Sequence, residues 1–110
     1  MPRTPRMEQI EELLKDDPTD AFLRYGLAME HTSQGDDATA VTHFRELIAL
    51  DPAAPYIPAF LMCGQALARL GNEGEAAEVL RQGITAATKA GTPEAMHARG
   101  EMEGLLATVE

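Results

Sequence analysis

"LARLGNEGEAAEVL" (residues 67–80) repeats the pattern of "HTSQGDDATAVTHF" (residues 31–44) at a spacing of 36. In each, helix-like apolar spacing stops at a glycine (Gly35, Gly71), and a polar residue able to cap a helix follows. An alanine then stands four residues before a bulky apolar side chain, Ala40 before Phe44 and Ala76 before Leu80. Glycine just past a helix end and Asp or Asn just before the next is the punctuation of two helices joined by a tight turn. A second echo has a different spacing. "EELLKDDP" (residues 11–18) precedes "RELIALDP" (residues 45–52) by 34, aligning Leu13 with Leu47, Leu14 with Ile48 and Pro18 with Pro52. The first helix is therefore expected to be the second half of a unit whose first half is missing.

The same signals predict six helices along the chain. Thr4-Pro5 is a cap and first-turn proline for a helix carrying Met7, Ile10, Leu13 and Leu14, which stops at Pro18. A second runs from about Thr19 to Ser33, and a third from Asp36 or Asp37 to the residues before Pro52. The fourth starts within "PYIPAF" and ends at Gly71. The fifth opens at Asn72, with Glu75 in a capping-box arrangement, and stops at Gly91. The last uses Thr92 and Pro93, with Ala95, Ala98, Met102, Leu105, Leu106 and Val109 on one stripe. Its Gly100 and Gly104 are expected to leave that end loose. Strand alternation is nearly absent, so the fold class is all-α, and short connections make neighbouring helices antiparallel.

A chain of 110 residues is one domain. Its 18 acidic against nine basic residues give a net charge of -9. Such a chain repels phosphate backbones, so a nucleic-acid partner is not expected, and a basic peptide or protein surface is the easier one to attract. No run approaches the length of a membrane span, and "MPRTPR" is followed by no apolar stretch, so the expectation is a cytoplasmic protein without membrane association. Cys63 is the only cysteine and stands at a core-type position. No cofactor, metal ion or catalytic group is expected. No two His stand four apart on a helix, no glycine-rich phosphate loop occurs, and no nucleophile has an evident base.

The recurrence resembles the tetratricopeptide repeat (TPR) family, a helix-turn-helix unit of 34 residues with a W-x2-L-G-x2-Y, A-x3-F, P pattern. The first unit offers Arg24, Leu27, Ala28, His31, Ala40, Phe44 and Pro52. The second offers Phe60, Cys63, Gly64, Leu67, Ala76 and Leu80, with Thr88 in place of the last proline. The resemblance implies a right-handed superhelical array of antiparallel hairpins. It would comprise a half-repeat helix (5–17), repeat 1 (19–52), repeat 2 (55–90) and a capping helix (92–109). Gly64, Ala28, Ala40 and Ala76 would be small where paired helices approach.

The resemblance also implies that the first helix of each hairpin lines a concave groove. On this chain that face holds Phe22, Tyr25 and Met29, then Leu61, Gln65 and Arg69. The expected role is a non-catalytic module that binds a protein or peptide there. The competing expectation is a homodimer or larger oligomer using the same apolar stripe, and an enzyme or small-molecule sensor ranks below both. The Lys/Asn set of a carboxylate clamp is missing. Arg24 and His31, polar where the family has aromatics, share a face and would either bind an anion or be structural, with Arg24 meeting Asp20 or a carboxylate of the first helix. His43 and His97 are expected on solvated faces.

Overall fold

The computed structural model describes residues 3–110, and these form six helices with no strand among them. They are α1 (Pro5–Asp16), α2 (Ala21–Ser33), α3 (Asp37–Leu50), α4 (Ile57–Arg69), α5 (Glu73–Ala90) and α6 (Pro93–Val109). Each packs against the next, and α4 also touches α6. Two hairpins, α2–α3 and α4–α5, thus sit between α1 on one side and α6 on the other. This is the all-α hairpin array expected from the repeated punctuation.

The quoted stretches form the same turn twice. Gly35 and Gly71 adopt left-handed backbone, with φ of 76° and 82°. The Gly35 N–H donates to Thr32 O and the Asp36 N–H to His31 O, each at 3.0 Å. One repeat later Gly71 donates to Ala68 O at 3.0 Å and Asn72 to Leu67 O at 2.9 Å. This is the Schellman arrangement, in which the last carbonyls of a helix are satisfied by the residues that leave it. The same polar residue then starts the next helix. Asp36 Oδ1 accepts the Thr39 N–H at 3.2 Å. Thr4, Asp20 and Thr92 cap α1, α2 and α6 in the same way, at 3.1, 2.9 and 3.1 Å. Asn72 is the exception: its side chain makes no capping bond, so the capping box expected with Glu75 does not form.

The two unequal spacings have a single origin. Pro18 stands two residues before the cap Asp20, whereas Pro52 stands four before the cap Tyr56, and α2 and α4 are both 13 residues long. The second unit therefore carries two additional residues, and they lie in the connection 51–56, "DPAAPY". That connection lines two clefts, one against the first helices of the hairpins and one between the second helices.

The main core runs through α2 to α6, with Phe44, Leu47, Cys63, Leu67, Leu80 and Met102 fully buried. A smaller cluster of Met7, Ile10 and Leu27 joins α1 to α2. Gly64 permits the close approach assigned to it, since a β-carbon there would stand 2.6 Å from Leu80 Cδ2. Gly100 and Gly104 do not serve an approach: a β-carbon at either meets open space. Burial pushes the Cys63 thiol up to about 11, so it is neutral and non-nucleophilic at physiological pH.

Candidate functional site

Asp20 starts α2, and the spacing of three and four residues from Phe22 to Tyr25 to Met29 places these side chains on one face. Phe22 is 75% exposed, while Tyr25 and Met29 are half-buried and lean on the main core. Together with Arg6 of α1, Gly26 and Glu30 they line a cleft of about 270 Å³. Its far wall is closed by an ion pair, Arg6 Nε to Glu30 Oε2 at 3.6 Å. No apolar spacing announces Arg6 or Glu30, because they reach the cleft only through the docking of α1 on α2.

Tyr25, in the wall of this cleft, also packs against two other aromatic rings. Tyr25 packs tilted against Phe44, 6.1 Å away, and against Tyr56, 5.1 Å away. Burial, with the neighbouring Tyr56 adding to it, raises the Tyr25 phenol above its ordinary pKa and keeps it neutral. Tyr56 in turn opens a second cleft of about 450 Å³, where the connection 51–56 meets the first turns of α2, α4 and α6. Asp51 and Glu94 supply its carboxylates.

The second sequence-derived stripe does not come together as one surface. Leu61 is only 5% exposed and belongs to the core, where α6 packs on α4. Gln65 is half-buried and lines none of these clefts. Arg69 is exposed but engaged: its guanidinium forks onto Asp37 at the start of α3, with Nε to Oδ2 at 3.0 Å and Nη2 to Oδ1 at 2.9 Å. What α4 offers the groove is its approach from Tyr56, which helical periodicity alone does not identify.

Arg24 and His31 separate into different roles. Arg24 pairs with neither Asp20 nor α1. Its Nε donates to Pro18 O at 2.6 Å and its Nη1 approaches Glu46 Oε2 of α3 at 3.3 Å. His31 is buried and stacked on His43, ring centroids 5.1 Å apart and planes 20° apart, with Asp36 Oδ2 3.8 Å from its Nδ1. His43 is therefore half-buried, not on a solvated face as its spacing suggested. His97 does lie exposed, beside Glu101.

Desolvation lowers the His43 pKa below its usual value, and the His31 and Arg24 charges lower it further against the opposing pull of Glu46 and Asp36. A depressed imidazole pKa means that the unfolded chain takes up the proton first. The stability it contributes is present above the ordinary value of about 6.5 and is lost as pH falls through that value toward the lower folded one. Asp36 is also shifted down, by the Thr39 side chain and amide, so its contribution disappears only in a more acidic window. Urea midpoints are expected to fall from pH 7.5 to 5.5, and His43→Gln to flatten that segment. An unchanged slope in the variant would assign the pH dependence elsewhere.

No family model matches the chain. Over 71 aligned residues it is 38% identical to the photosystem I assembly protein Ycf3 of Synechococcus elongatus and of Synechococcus sp.. The match covers 57% of this chain and 40% of those proteins, so the chain spans well under half their length. The solution NMR structure of a tetratricopeptide repeat domain protein from Salinibacter ruber superposes with a TM-score of 0.73 at 31% identity, covering 86% of this chain and 90% of that one. The crystal structure of a Salinibacter ruber protein of the same description gives 0.71 at 29% identity, covering 82% and 94%.

Proposed function

Because the chain belongs to the tetratricopeptide repeat family, we propose that it is a non-catalytic adaptor that binds an extended or helical peptide along the groove from Phe22 to Glu94. The observation that carries this reading is Phe22, an aromatic ring 75% exposed at the mouth of an apolar cleft. A peptide side chain entering there would cover Phe22 and Met29, a residue whose flexible thioether adapts to varied shapes. Its chain would cross the Tyr25–Tyr56 rings toward Asp51 and Glu94, which favour a basic residue, as does the net charge of -9. The photosystem I assembly role in the name of the Ycf3 relatives is consistent with binding of other proteins. Among the described residues no helix is long and apolar enough to cross a membrane. A cytoplasmic location fits the single free thiol at Cys63.

A second copy of the chain is the competing occupant, favoured by the same exposed ring. Quantitative pull-down with mass spectrometry, run in parallel on wild type, Phe22→Ala and Met29→Ala, tests both readings. Phe22 is exposed, so Phe22→Ala is expected to leave the unfolding midpoint in place while weakening capture of a groove partner at least ten-fold, about 1.4 kcal/mol or more. If wild type sediments as a dimer at micromolar concentration and Phe22→Ala as a monomer, the stripe is a self-interface. Partner capture that ignores both substitutions would move the binding surface off this face.

A further inference from the structure

The connection 51–56 also shapes a cleft of about 580 Å³ between α3 and α5, the second helices of the two hairpins, within the size range of ligand pockets. Phe60 and Ile57 lie beneath it, Ile48 and Ala86 form its sides, and Ala53 and Pro55 of the lengthened connection make its lip. None of its lining residues belongs to the Phe22 cleft.

Two charge observations single it out. The two clefts described above carry carboxylates, Glu30 in one and Asp51 and Glu94 in the other, as does a shallow one on α1 between Pro5 and Leu13, with Glu8 and Glu12. This one carries none, in a chain with twice as many acids as bases. Its only charged group is Lys89. Every other Lys and Arg lies beside a carboxylate: Arg3, Arg6, Lys15, Arg24, Arg45, Arg69, Arg81 and Arg99 are all paired within the fold. Among the described residues Lys89 is the one Lys or Arg side chain left without such a partner, and it stands at an apolar cleft. A cation there is complementary to an apolar segment that brings its own negative charge.

We propose that this cleft is a second docking site, for an acidic peptide segment that lays an apolar side chain over Phe60 and pairs a neighbouring carboxylate with Lys89. The amide of the exposed Gln82, on the α5 side, is free to meet the peptide backbone. A basic partner seated at the Phe22 cleft and an acidic one here would then be held on one small scaffold, meeting only at Ala54, Pro55 and Ile57, which line both this cleft and the one at Asp51 and Glu94.

The test is NMR titration of the full ¹⁵N-labelled chain at physiological salt. The probe is an acetylated, amidated octapeptide alternating aspartate with leucine and phenylalanine, beside its lysine-for-aspartate counterpart. The aspartate peptide is expected to move the amides of Ala53, Ile57, Thr85 and Lys89. Lys89→Glu should weaken it at least ten-fold, Lys89→Arg should retain it, and Thr85→Trp, which fills the mouth from an exposed position, should block it. Lys15→Glu makes the same charge change on α1 and should leave binding intact, as should Phe22→Ala, so failure here is separable from failure of the groove. The proposal is overturned if millimolar peptide moves none of these amides, if the lysine peptide binds as well, or if Lys89→Glu binds like wild type. Concentration-dependent shifts of the same amides without peptide would assign the cleft to a second copy and overturn it too.

Discussion

Phe44→Ala is expected to destabilise the chain by about 3–5 kcal/mol, the range for removing a fully buried aromatic side chain. Phe44 has no exposed surface, and its ring meets Tyr25 of α2 at 6.1 Å. It belongs to the core shared by α2 to α6, so its loss leaves a void at the junction of the two hairpins, where the array has nothing else to close onto. A domain of this size has only about 5–15 kcal/mol in total, so the loss is about a fifth or more of its stability. Urea unfolding followed by circular dichroism reads it directly. A cost below about 1.5 kcal/mol would mean that the site collapses freely and that Phe44 is not the junction it is described to be. Tyr25→Ala must be read with this in mind, because Tyr25 belongs to both the groove and the Phe44 contact, whereas Phe22 belongs to the groove alone.

The parts of the fold that were legible in the sequence are those specified by local chemistry. Gly35 and Gly71 announce left-handed turns, Thr4, Asp20, Asp36 and Thr92 announce helix starts, and each does its work within five residues of itself. Asn72 looked equivalent to Asp36, and its N–H makes the same main-chain bond one repeat later, yet its side chain caps nothing. The groove was half legible. The stripe of Phe22, Tyr25 and Met29 follows from helical spacing on a single element. The second stripe misled because Leu61 is buried in the main core and Arg69 is held by Asp37 of α3, consequences of tertiary packing that spacing does not encode. The His31–His43 stack and the Arg24–Glu46 pair likewise join different helices. Lys89 was the least visible residue of all. An isolated lysine near a helix end is ordinary, and its significance appears only once every other basic side chain has found a partner.

The seam between α4, α5 and α6 supplies the second large effect, at a residue whose spacing does not announce it. Gly83 lies mid-helix in α5, where glycine costs about 1 kcal/mol relative to alanine. A β-carbon at Gly83 would stand 2.5 Å from Met102 Sδ and 2.5 Å from Phe60 Cβ. The thioether can swing aside, but Phe60 Cβ is bonded to the α4 backbone, so relief requires the two helices to part. Gly83→Val is expected to cost about 3 kcal/mol, the upper part of the range for overpacking. Gly83→Ala should remain destabilising by about 1–2 kcal/mol even after its gain in helix propensity. Gly100→Ala and Gly104→Ala, in helical positions facing open space, isolate that gain and should each stabilise by up to about 1 kcal/mol. If Gly83→Ala stabilises as they do, α5 does not sit in direct contact with α4 at this point. The same experiment bears on binding, because Phe60 also lies beneath the cleft at Lys89. Parting α4 from α5 would lower that surface and weaken the acidic peptide while leaving the Phe22 cleft, carried by α1 and α2, in place.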